Sequence, residues 1–207
     1  MDRLNRYIRK TPNWLLYLIG AAYPAWLLYA AFSGGLGVDP VKAMEHALGK
    51  TGLQVLVAVL TISPLRRFAK INLISWRRAL GVIGFAYILL HFLVWMVLDV
   101  QILSQVWADI VKRPYIIVGM VSLMILLPLA LTSNNWSVRK LGPRWRKLHK
   151  ATYLAVVLGG IHYLMQIKSF QYEPYVYLIV IVGLIALRRL PQKGAKQARK
   201  PSRPRPA

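Results

Sequence analysis

Two stretches decide how the chain folds: ALGVIGFAYILLHFLVWMVL (79–98) and ATYLAVVLGGIHYLMQI (151–167). Each approaches the roughly 20 apolar residues that a helix needs to cross a hydrocarbon core of about 30 Å. Each holds one imidazole, His91 or His162, and no Asp, Glu, Lys or Arg. A polar ionisable ring in hydrocarbon is costly without a partner, so both histidines are functional candidates. The natural partner of a neutral imidazole in such a place is a metal.

Four further apolar runs, 14–32, 52–65, 115–132 and 174–187, bring the expected number of membrane spans to six. The whole chain is 57% hydrophobic and 16% charged, with a mean hydropathy of +0.44. These values exclude an ordinary soluble domain and predict an all-α membrane protein, a bundle of six transmembrane helices. Basic residues number four before the first span, five between spans two and three, six between spans four and five, and eight from Arg188 onward. Lys and Arg mark the cytoplasmic side. Both termini are therefore expected in the cytoplasm, and spans one, three and five run outward. The net charge of +22 is a topology signal first, and second an attraction to anionic membrane lipid or an acidic cytoplasmic donor. No nucleic-acid reading module accompanies it. The basic start and first apolar run outline a signal peptide, but the run's length and the five spans after it predict a retained helix.

Two short amphipathic helices are predicted on the outer face. In the first, Asp39 suits the N-cap, Pro40 the first turn and Gly49 the stop, with Val41, Met44 and Leu48 on one face. In the second, Leu103, Val106, Trp107, Ile110 and Val111 follow a helical period until Pro114 ends it. Pro24 and Pro128 are expected to kink spans one and four. The domain reading is a helical membrane domain over 1–190 and a disordered basic cytoplasmic tail over 191–207.

Depth tests whether His91 and His162 serve one ion. His91 lies twelve residues into span three, about 18 Å, and His162 eleven into span five, about 16–17 Å. Both spans run outward, so the two rings are expected at nearly equal height beyond the midplane. Two axial ligands of one porphyrin require this. The chain has no cysteine, which excludes disulfides, thiolate-bound iron–sulfur clusters and covalent haem attachment. Gly81 and Gly84 before His91, and Ala155 and Gly159 before His162, leave space for a flat ligand or else let helices approach closely. His149 sits at the cytoplasmic mouth of span five and about 140° from the His162 face. It binds an inner haem with a ligand from elsewhere, touches a flavin, or lies at a solvated interface. His46 reads as a surface residue.

The segments GGLGVDPVK (34–42), TISPLRRFAK (61–70), RRALG (77–81), LLH (89–91), RPY (113–115), LALTS (129–133), RKLGPRWRKLHK (139–150) and IHYL (161–164) carry a further reading. Together they make residues 12–189 resemble the MsrQ (YedZ) family, haem-binding membrane subunits of bacterial periplasmic methionine-sulfoxide reductase systems. That family is similar to the ferric-reductase-like transmembrane domain. The resemblance implies one or two b-type haems, with His91, His149 and His162 as the associated metal-binding histidines. It also implies FMN, and a periplasmic molybdopterin methionine-sulfoxide reductase that receives the electrons for repair of oxidised proteins. Larger relatives carry two haem-binding histidines on each of two helices, whereas span three here carries one.

Transmembrane electron transfer is the expected function, with the substrate chemistry on the partner. An outer haem cannot collect electrons at the cytoplasmic face, because tunnelling decays steeply with distance, so a second carrier is needed there. Arg77, Arg78, Arg144 and Arg146 are candidates to hold a flavin phosphate. The same face would alternatively dock a cytoplasmic flavin reductase or a quinol from the quinone pool, or simply anchor the topology. Competing functions are a stand-alone ferric or quinone reductase and, in another class, a transporter or membrane anchor.

Overall fold

The computed structural model describes residues 2–167 and 169–190. Among them the regular structure is all helical. A short helix, α1 (Asp2–Lys10), precedes the first long one, α2 (Asn13–Phe32). Next come α3 (Pro40–Pro64), α4 (Arg77–Leu93), α5 (Leu103–Lys112) and α6 (Pro114–Leu131). The short α7 (Asn135–Leu141) and α8 (Pro143–Leu148) lead to α9 (Ala151–Gln166) and α10 (Tyr172–Arg189). The tail 191–207, expected to be disordered, lies outside the described residues.

Four segments are long and apolar enough to cross a membrane: Asn13–Phe32, Pro40–Ala69, Ile74–Val100 and Pro114–Leu131. The third, like the second, gains length from a π-helical turn, Val94–Val100 after α4 and Leu65–Ala69 after α3. α9 has only 16 residues, and the 18 of α10 include Glu173, Arg188 and Arg189. Both nevertheless pack on the long helices, α9 on α6 and α10 on α9 and α3.

One expectation is overturned. The separate outer helix ending at Gly49 does not exist; α3 runs from Pro40 through Gly49 into the next apolar run without a break. Asp39 and Pro40 do open it. The Asp39 carboxylate accepts from the Lys42 amide at 3.1 Å, and that bond holds its carboxyl below the usual range. Gly49 fails as a stop because glycine costs a helix interior only about 1 kcal/mol. Neighbouring α4 uses the bare backbone: a Cβ on Gly49 would stand 2.9 Å from the His91 ring, and one on Gly52 2.7 Å from Ile88. Pro24 and Pro128 sit inside continuous helices. The second amphipathic helix is present as α5, with Val106 buried and Leu103, Trp107 and Val111 exposed.

Helix α1 adds to the sequence reading. Its Ile8 is buried, and the Ile8 carbonyl accepts from the Trp76 indole at 3.1 Å. Asn5 donates to the Lys70 carbonyl at 3.0 Å and accepts from the Asn72 amide at 2.9 Å. The amino end is thereby tied to the α3–α4 loop, where Lys70 takes a left-handed φ of 57°.

The main core joins Leu53, Leu56, Val57 and Leu60 of α3 to Leu126 and Leu129 of α6, Ala155 and Val156 of α9, and Ile181 of α10. Leu60 is fully enclosed. Leu60→Ala is expected to lower stability by about 2–5 kcal/mol through lost packing and the cavity left behind. Thermal unfolding in detergent checks this; an unchanged midpoint would show that the core tolerates the hole.

Candidate functional site

Four helices enclose the site. α3 packs on α4 and α9, and α6 packs on the same two, so α4 and α9 occupy opposite corners of a closed ring. α4 carries His91 and α9 carries His162, and across the ring their imidazole centroids are 6.2 Å apart with planes at 73°.

Each ring is latched by Nδ1 to a neighbouring helix. His91 Nδ1 lies 2.9 Å from the Glu45 carbonyl oxygen on α3, and His162 Nδ1 lies 2.7 Å from that of Tyr115 on α6. A carbonyl can only accept, so both Nδ1 atoms carry the proton and donate it. Both Nε2 atoms therefore keep a lone pair. Metal-ligating histidines are held in this way, the second nitrogen fixing tautomer and orientation.

The donor set fits haem better than a bare ion. Among the described residues no group of three or more His, Cys, Asp or Glu gathers to hold a metal. Two imidazoles alone leave a transition-metal ion unsaturated, whereas a porphyrin fills the remaining positions. Imidazole nitrogen binds such ions at about 2.0–2.1 Å, so two rings sharing one ion have centroids about 6.4 Å apart. The separation here is 6.2 Å.

The small residues divide between the two roles proposed for them. Gly84 lets Leu56 approach, since a Cβ there would be 2.8 Å from Leu56 Cδ2, and Ala155 is fully buried in the core. These two serve helix packing. Gly81 has open space around it, and Gly159 makes only ordinary contacts with Leu53 and Ser122.

The basic end of the bundle holds the other candidates. His149 follows α8; its ring stacks on Trp145 with centroids 3.9 Å apart, and its Nε2 is 3.1 Å from the Thr132 hydroxyl. Burial, and then the charges of Arg77 and Arg78, hold its protonated form below the usual imidazole range. Arg78 donates to Asn135 Oδ1 at 2.6 Å. Arg77 lines a cleft of about 1020 Å³ between the ends of α3, α4, α9 and α10, together with Arg66, Arg67, Phe68, Tyr153 and Arg188. Arg144 and Arg146 are exposed on α8. His46 is exposed at the opposite end, 3.3 Å from Gln166.

Several of these residues escaped the sequence reading. Glu45 and Tyr115 act through backbone carbonyls, which no residue type announces. Arg66, Arg67 and Arg188 were visible only as topology charges, although the Arg66–Arg67 pair beside Pro64 marked a helix end. Arg188 ties three helices: its guanidinium donates to the Tyr153 hydroxyl of α9 and to the Leu60 carbonyl of α3 at 2.6 Å.

The chain is similar to known proteins. A family described as "Ferric reductase like transmembrane component" matches residues 44–160, which include His91 and His149 and stop just before His162. A protein of Brucella anthropi named "Protein-methionine-sulfoxide reductase heme-binding subunit MsrQ" is 46% identical over 193 residues, covering 93% of this chain and 87% of its own. Proteins of the same name from Brucella ovis and Brucella canis are 46% identical over 187 residues, covering 87% of this chain and 85% of theirs.

Arg188→Met keeps the aliphatic stem and loses both charge-assisted bonds. It is expected to lower stability by about 1.5–3 kcal/mol. Thermal unfolding in detergent reads this, and an unaltered transition would show that α10 is held by apolar packing alone.

Proposed function

Because this chain belongs to the MsrQ family of ferric-reductase-like membrane proteins, we propose that it is the haem-binding electron-transfer subunit of a methionine-sulfoxide reductase system. The observation that carries the proposal is the His91–His162 pair, 6.2 Å apart with both Nδ1 atoms engaged. These two residues would hold a b-type haem from opposite sides. When bound, haem supplies a one-electron carrier whose potential follows its axial ligands and their hydrogen bonds. The Glu45 and Tyr115 carbonyls keep each Nε2 lone pair directed away from its latch. The surrounding helices α3 and α6 keep the two ligand helices apart.

The orientation proposed is six spans in the bacterial inner membrane, with the basic end and both termini in the cytoplasm. His91 then lies fourteen residues from Arg77, about 21 Å along the helix, toward the periplasm. A periplasmic molybdopterin methionine-sulfoxide reductase would dock at the outer end, over 34–50 and 99–113. The relatives' name supports a partner of that activity. At the cytoplasmic end the donor is the quinone pool or a flavin reductase, within a leaflet whose anionic lipid suits the basic loops.

A second carrier bridges the gap between that donor and the histidine pair. FMN is our candidate, its phosphate held by Arg77 with Arg66, Arg67 and Arg188 in the cleft, and with Arg78 and His149 beside it. Guanidinium groups hold phosphate by paired charge-assisted bonds, and the Tyr153 and Phe68 rings offer apolar surface. His149 is also the candidate for an inner haem, which would require its Nε2 to leave Thr132.

Absorption spectra and haem content of purified His91→Ala and His162→Ala test the main claim. Both changes are expected to abolish the same centre; loss of two different centres would refute shared ligation. Flavin released from the purified protein tests the second. Arg77→Gln is expected to reduce it, and wild-type flavin content in that variant would remove the cleft from the reading.

A further inference from the structure

The two histidine latches share a feature that the haem reading alone does not require. His91 bonds the carbonyl of Glu45, and four residues further along the same helix is Gly49. His162 bonds the carbonyl of Tyr115, and four residues further along is Gly119. A Cβ built on Gly49 would stand 2.9 Å from His91 Nδ1, and one on Gly119 2.7 Å from His162 Nδ1. The same spacing and the same clash occur on two unrelated helices.

Helix geometry explains the spacing. A Cα–Cβ bond tilts toward the helix N-terminus, so the side chain at i+4 covers the turn that holds the carbonyl of residue i. Ser and Thr hydroxyls at i+4 reach that carbonyl for this reason. The carbonyl already serves the helix but has a second lone pair. Where residue i+4 keeps its own N–H bond to that carbonyl, lack of a side chain there opens the approach for an outside ring. Neither glycine has a positive φ, so the backbone itself does not demand glycine. Alanine at either site would favour the helix by about 1 kcal/mol. The lost propensity is explained by access for the ring.

We infer that Gly49 and Gly119 are positioning residues that open one backbone carbonyl each to an axial histidine, fixing its Nδ1-protonated tautomer and ring plane. The inference rests on the haem assignment for its redox consequence, but the latch exists without haem. Donation from Nδ1 strengthens the imidazole as an electron donor and so favours the ferric state. Planes crossed at 73° imply a strongly anisotropic low-spin ferric signal in electron paramagnetic resonance.

Gly49→Ala and Gly119→Ala test it, against two controls with equally close contacts elsewhere. A Cβ on Gly84 would be 2.8 Å from Leu56 at the same α3–α4 contact, and one on Gly160 would be 2.9 Å from Ile181 between α9 and α10. Each latch variant is expected to raise the haem reduction potential, alter the low-spin signal and weaken haem retention roughly 10–100-fold. Gly84→Ala and Gly160→Ala are expected to keep the wild-type potential and signal. Wild-type values in the latch variants, or equal changes in the controls, would overturn the inference.

Nitrogen-15 NMR of labelled histidine in the haem-free protein separates this claim from the haem assignment. Two Nδ1-protonated rings are expected in wild type, one lost in each latch variant. Nε2-protonated rings in wild type would defeat the inference, whereas failure of wild type to bind haem with this result intact would defeat only the haem reading.

Discussion

An imidazole surrounded by hydrocarbon has two nitrogens to satisfy, and the arrangement of this bundle follows from how they are satisfied. One nitrogen of each ring is met from inside the protein, by a backbone carbonyl on an adjacent helix. That choice requires α3 and α6 to lie beside α4 and α9, which sets the closed ring of four. Bare backbone lies at both points of approach, Gly49 against His91 and Gly119 against His162. The choice leaves one nitrogen of each ring unspent, on rings whose centroids are 6.2 Å apart. Unmet, those lone pairs would make the pair a liability in a membrane interior.

Charge is arranged to opposite effect at the two ends. The stretches 79–98 and 151–167 that carry the histidines hold no Lys or Arg, whereas four arginines converge where α3, α4, α9 and α10 meet. Like charges so close repel, and the fold offsets part of this locally. Arg188 is tied to a hydroxyl and a carbonyl, and Arg67 donates to the Leu190 carbonyl and lies over the Phe68 ring at 5.1 Å. An anionic ligand in the cleft would relieve the rest. The same field bears on His149, whose proton is disfavoured by burial and by Arg77 and Arg78.

Legibility in the sequence depended on whether a feature is local. The level of His91 and His162 could be read because helical rise is a fixed ruler and neither stretch contains proline. Asp39 and Pro40 could be read because capping is decided within one turn. Gly49 was misjudged since a glycine ends a helix or admits a neighbour according to what lies across from it. The carbonyl latches were invisible because every residue carries the same backbone. The cleft was only half visible: Arg77 belonged to it, but Arg144 and Arg146 project from α8, and Arg66, Arg67 and Arg188 converge from helix ends far apart in sequence. Helix α1 had its pattern in Leu4, Tyr7 and Ile8, masked by the density of charge around it.

In the proposed function the two sites work as a pair. His91 lies about 21 Å of helix away from Arg77, and under that proposal a single carrier at that depth would be cut off from any donor in the cytoplasm. A cleft at the basic end without the histidines would equally leave the far side unserved. α4 contributes to both, with Arg77 at one end and His91 near the other, and α9 does the same with Tyr153 and His162. α4 and α9 therefore hold the histidine pair and the cleft to one scaffold, so the spacing between them is fixed by helix length rather than by loops. Electron transfer is steep in distance, so carriers held at these two places would depend on that fixed spacing.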